Sequence, residues 1–367
     1  MVNRRGVVAL SMAAALAWSV ALVAQKKDDR KQDDKKLSDT QKREIQEVVR
    51  IVDSVVAGQA APNDLGLSWV HEDFLKATDN KEYIPFTVTF DPAKTAGPSV
   101  SLYWRVVARD AKDKDKDAAA VVPVPAGGKN DKDKRDDKKA PPARYASEDI
   151  NVVPVTPGQA GPVRLSRAFT VGGGTYDVYV VVKEAASTQK NAPAPKAALI
   201  KQTIAVPDFW TADLSTSSVI VAQRIEPLNA PLSHNEQVER PYALGMMEIV
   251  PTFEMKFSKK SELSTFMLIY NPKIDAMNKP DVTVEYNFYT KPSGAPEKFF
   301  NKTNPQSLNA ATLPPAFDMS IGHQLQTGQA VPLASFPDGD YRLEIKVTDK
   351  IANKSLTRDV HFTVTAG

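Results

Sequence analysis

His71-Glu72-Asp73-Phe74-Leu75 is the nearest approach to a metalloprotease signature in this chain, and it fails at its last residue. That signature needs histidines four apart on a helix, so that two imidazoles reach one zinc ion. Here leucine stands at the fifth position. The four histidines, His71, His234, His323 and His361, are scattered along the chain and read as surface or satisfied polar residues. Asp113, Asp115 and Asp117 imitate the start of a calcium loop, but Ala118 replaces the turn glycine and no glutamate closes the loop. The interleaved lysines also cancel the field that a divalent cation needs. Gly172-Gly173-Gly174 lacks the Lys-Ser/Thr of a phosphate loop, and no Gly-x-Ser-x-Gly elbow occurs. With no cysteine anywhere, thiol nucleophiles and thiolate metal sites are excluded. A glycosidase carboxylate pair meets only in three dimensions and leaves no linear trace. The sequence therefore nominates no catalytic, cofactor-binding or metal-binding residue.

What it nominates is structural. Gly174-Thr175-Tyr176 and Gly339-Asp340-Tyr341 each open a segment with apolar residues at alternate positions, followed after a gap by one last alternating run. Period-two alternation is the pattern of a strand with one buried face. In Greek-key sandwiches a tyrosine near the start of the penultimate strand packs inward and hydrogen-bonds the backbone of the preceding connection. Tyr176 and Tyr341 hold that position, with Gly174 and Gly339 as the turn residues. Trp104, in the strand Ser99 to Arg109, is expected between the sheets of the first sandwich.

These residues require an all-β fold: two tandem immunoglobulin-like antiparallel β-sandwiches, preceded by a signal peptide and one short amphipathic helix. The 367 residues suffice for two domains plus extras. The 27 prolines fall between alternating segments, as turns and strand edges demand. Arg4 and Arg5 followed by the apolar run Gly6 to Ala24 make 1–24 a secretory signal peptide, cleaved after Ala24. The competing reading is an uncleaved anchor, the one route to a membrane. Residues 25–36 form a charged tract expected to be disordered, and 37–63 a helix and linker. The helix Leu37 to Ala57 carries a valine-rich stripe that needs a surface to lie on. Residues 64–207 form the first sandwich, with a disordered insertion at 110–144, and 208–367 the second. The stretches 228–245 and 308–328 read as long surface loops.

The second half resembles the immunoglobulin-like regions of uncharacterised exported bacterial proteins, some of them von Willebrand A-related. The resemblance rests on Val206-Pro207-Asp208, Ser217 to Val221, Tyr270-Asn271-Pro272, and Gly339 to Leu343 with Val347-Thr348-Asp349. The A domain's Asp-x-Ser-x-Ser metal signature is missing, so the resemblance implies an exported module and no metal-dependent adhesion. A net charge of +3 without a concentrated basic patch argues against nucleic acid as a partner. The expected function is a non-catalytic periplasmic or secreted protein that binds an envelope protein or a surface glycan through its sandwich loops, without cofactor. The alternative is a carbohydrate-active enzyme or its accessory binding module. A third reading makes the Leu37 to Ala57 helix a docking element in an envelope complex.

Overall fold

A computed structural model describes residues 39–109, 145–186, 194–291 and 294–366. The expected signal peptide, the charged tract, the 110–144 insertion and Asp113, Asp115 and Asp117 lie outside the described residues. The described residues are all-β, with two sheet pairs and two α-helices.

The first half holds α1 (Asp39–Val56), β1 (Ser68–Glu72), β2 (Leu75–Lys76), β3 (Glu82–Phe90), β4 (Ser99–Ala108), β5 (Ser147–Pro154), β6 (Val163–Val171), β7 (Gly174–Glu184) and β8 (Ala197–Val206). Sheet I runs β1-β3-β6, with β2 also on β3; sheet II runs β5-β4-β7-β8. The two sheets share one core of Phe86, Trp104, Leu165 and Val178 with their neighbours.

Sheet II is buried on both faces. Val178, Val180 and Val182 point into the sandwich, while Tyr179 and Val181 lie beneath Val48 and Val52 of α1. That is why Val178 to Val182 is a continuous apolar run instead of a strict alternation. Two buried cations clamp the helix from below: Lys183 Nζ lies 3.0 Å from Glu44 and 2.7 Å from Glu47, and Arg105 lies 2.7 Å from Asp53. Valine is a weak helix former, so this packing supplies most of the helix's stability.

The second half holds β9 (Ser215–Thr216), β10 (Ile220–Pro227), α2 (His234–Glu239), β11 (Ala243–Leu244), β12 (Met247–Pro251), β13 (Lys256–Ser258), β14 (Glu262–Tyr270), β15 (Val282–Thr290), β16 (Lys298–Lys302), β17 (Gln306–Leu308), β18 (Leu325–Pro332), β19 (Gly339–Asp349) and β20 (Lys354–Thr365). Sheet III runs β11-β12-β10-β14-β18 with β9 on β14, and sheet IV runs β13-β20-β19-β15-β16 with β17 on β15. Met267, Leu325, Tyr286 and Leu343 are among the residues of their common core. The order β16-β15-β19-β20 repeats β5-β4-β7-β8 of sheet II. One pair departs from the expected antiparallel pattern: β13 runs parallel to β20.

Several expected boundaries shift. Residues 215–225 are split between two strands, because β9 pairs near the end of β14 and β10 near its start. The 228–245 stretch is not a surface loop. It contains α2, closed by a Ser233–Glu236 capping box, and β11, and it buries Tyr242. The 308–328 stretch is pinned by the buried Lys279, whose ammonium donates to the carbonyls of Pro314, Pro315 and Phe317 at 2.8–3.1 Å.

Candidate binding surface and the seam between the sheet pairs

Tyr176 Oη donates to Gly172 O at 3.0 Å, and Tyr341 Oη to Pro337 O at 2.7 Å. Each hydroxyl thus ties the start of its strand to the carbonyl four residues earlier. Gly174 and Gly339 hold φ of +151° and +150°, where a side chain is disfavoured. Trp104 is buried in the core with its ring edge-on to Phe86 at 5.8 Å. Its indole Nε1 has no hydrogen-bond partner there. Trp104 and Tyr176 sit in one core and Tyr341 in the other, the two glycines are exposed at their strand starts, and the five do not converge on one site.

His71-Glu72-Asp73 lies on and just after β1, not on a helix, with a register shift between Trp69 and His71. Trp69 turns inward to stack on Phe86 and donates its indole N–H to Glu72. His71 turns outward, with Nε2 3.1 Å from Asp73 Oδ1. Burial pulls the His71 pKa down, but the hydrogen bond to Asp73 and the charges of Asp73 and Glu72 outweigh it, so the net direction is upward. Asp73 is buried and accepts the Tyr242 hydroxyl at 2.9 Å, from the stretch expected to be a surface loop. Among the described residues no group of three histidine, aspartate or glutamate side chains could hold a metal ion.

This cluster belongs to a seam joining sheet I to sheet III. Leu75 packs with Phe209, Ile220, Tyr242 and Tyr270. Polar bonds cross the seam in both directions. Phe74 N donates to Ser218 Oγ while Ser218 N donates to Phe74 O. Tyr83 Oη donates to Pro241 O, and Phe209 N to Glu82 Oε1. No linear motif marks Tyr242, Glu82 or Ser218.

The outer face of sheet IV is an open candidate surface. Phe299, on the edge strand β16, is 57% exposed and lies edge-on to Tyr289. Arg342 sits 4.5 Å from the Tyr289 ring. Its guanidinium also binds Glu297, Glu344 and Asp359 at 2.7–3.1 Å, and these bonds hold its own pKa above the ordinary arginine value. Beside this cluster a cleft of about 540 Å³ opens between Lys291, Gly294, Asp340, His361 and Thr363. The arrangement offers an aromatic edge next to charged groups. It offers no unpaired carboxylates among these three, since one guanidinium binds them all.

No protein-family model matches the chain, and no curated protein matches it. Among solved structures, a Salmonella alpha-2-macroglobulin reacted with methylamine is 14% identical over 83% of this chain and 17% of its own, with a TM-score of 0.20. Elastase-activated Escherichia coli alpha-2-macroglobulin is 9% identical over 77% and 22%, with a TM-score of 0.22. The trypsin-activated Escherichia coli protein is 12% identical over 84% and 17%, with a TM-score of 0.21. This chain therefore spans only about a fifth of the length of those proteins, and TM-scores that low carry no inference about its fold or activity.

Proposed function

We propose that this is a non-catalytic exported envelope protein of the immunoglobulin-like kind, which binds a partner protein through the outer face and β16 edge of sheet IV. The observation that carries the reading is Phe299. A large aromatic side chain left mostly exposed on an edge strand, beside Tyr289 and a four-membered ion cluster, has the make-up of a binding hot spot with a polar rim. The Arg4-Arg5 and Gly6 to Ala24 pattern supports export. Glycan binding is the second reading, favoured by the cleft at Lys291, Asp340 and His361 beside the aromatic pair.

The test is capture from envelope extract with the mature protein as bait, alongside a glycan array, for wild type and Phe299→Ala. A protein captured by wild type and lost from a folded Phe299→Ala supports the reading. Capture that survives the substitution, or a glycan signal in place of a protein, overturns it.

A further inference from the structure

Lys76 and Asn271 meet at the seam, with Glu82 opposite Lys76 on the neighbouring strand. Lys76 Nζ donates to Asn271 Oδ1 at 3.0 Å. Its backbone is fixed as well, because Lys76 N donates to the hydroxyl of Tyr270, the residue preceding Asn271. The Asn271 amide nitrogen donates to Phe209 O at 2.9 Å and to Asp213 O at 3.2 Å, which aims its carbonyl at the lysine. The amine lies 4.3 Å from the Trp210 ring centroid, an aromatic wall. Across the β2–β3 ladder Lys76 pairs with Glu82. Glu82 is fully buried: one carboxylate oxygen holds Phe209 N, and the other has no hydrogen-bond partner.

We propose that Lys76 and Asn271 form an intramolecular isopeptide bond, with Glu82 as the proton-relaying carboxyl group, joining β2 to the end of β14 across the seam.

The chemistry balances without a further reactant. The neutral Lys76 amine attacks Asn271 Cγ, forming the Nζ–Cγ bond, while a protonated Glu82 gives its proton to Oδ1. The tetrahedral adduct then collapses. The Cγ–Nδ2 bond breaks, a hydrogen from Nζ passes to the leaving nitrogen, ammonia departs and Glu82 regains its proton. Burial shifts both groups in the direction of those starting states. Burial lowers the Lys76 pKa against the opposing pull of Glu82 and Asp208. Burial raises that of Glu82, with Asp208 adding to it and the Phe209 N–H and Lys76 opposing. The common competing reaction of asparagine is closed here. Attack by the following backbone nitrogen needs an N–H, and the following residue is Pro272.

Tryptic peptide mapping of the folded full chain by mass spectrometry decides the matter. The expected product is a branched peptide joining Lys76 to the Asn271 segment, one ammonia lighter than its two parts and uncut after Lys76. Intact mass alone does not suffice, because an N-terminal Gln25 left by signal cleavage would also lose ammonia on cyclising. Linear peptides with cleavage after Lys76 and an intact Asn271, from folded wild type, overturn the proposal. Asn271→Ala and Lys76→Arg are expected to give no branched peptide. Glu82→Gln, checked for fold by circular dichroism, is expected to stay unlinked, and Glu82→Asp to recover some of the bond. Full linkage in a folded Glu82→Gln removes Glu82 from the reaction.

Discussion

Trp104 and Tyr286 occupy the same register position in two sheets of the same strand order. Trp104 pairs with Val180, four residues after Tyr176, and Tyr286 with Ile345, four residues after Tyr341. Both fill the space between sheets, but they treat their polar atoms differently. The Trp104 indole N–H has no partner, whereas the Tyr286 hydroxyl meets Thr327 Oγ1 at 3.0 Å. The internal repeat thus extends past the glycine–tyrosine start to the bulky residue opposite, with its chemistry free to vary.

Tyr341→Phe and Tyr176→Phe are each expected to lower stability by about 1 kcal/mol, the worth of one hydrogen bond to a backbone carbonyl. The urea denaturation midpoint measures this, and an unchanged midpoint would mean that the hydroxyl contributes nothing.

Replacing Glu44 and Glu47 together by glutamine removes both countercharges of the Lys183 ammonium and leaves it neutral acceptors, the carbonyl of Glu184 among them. Glu47 is partly exposed, so the expected cost is about 1–3 kcal/mol, below that of a fully buried pair. Faster amide exchange in α1 and its neighbours, with little change in sheet IV, is the signature to look for.

The His71–Asp73 pair gives stability a pH dependence. The folded pKa of His71 is raised above 6.5, so its contribution is fully present below that value and is lost as pH climbs through the folded one. Wild type should therefore exceed His71→Gln in melting temperature at mildly acidic pH, with the gap closing on the alkaline side. A gap that is flat with pH would show that the pair is not linked to folding.

Lys279→Met keeps most of the aliphatic stem but strips the carbonyls of Pro314, Pro315 and Phe317 of their shared donor. The expected cost is about 1–3 kcal/mol. It should appear as earlier proteolytic cleavage within 309–324 than in wild type.

Much of the fold was legible because strand periodicity is local. The glycine–tyrosine strands start where their turn glycines stand, at Gly174 and Gly339. Helix α1 was legible too, whereas the strand holding Val178 to Val182, read as having one buried face, is covered on both. The seam was not legible, because Tyr242, Ser218 and Glu82 sit in stretches whose burial depends on residues from 127 to 169 positions away. The parallel three-residue pairing of β13 has too short a period to read. The Phe299 surface was hidden for the opposite reason: an alternating edge strand looks the same whether its outer side chains are covered or bare.

The seam's reciprocal bonds have a mechanical consequence. With Phe74 and Ser218 each holding the other's backbone, the two sheet pairs are denied the swivel that a bare Val206-Pro207-Asp208 connection would allow. Both halves should share one rotational correlation time. A ligand seated at Phe299 would then be presented at a fixed bearing from α1, so that the chain acts as a strut and not as a tether.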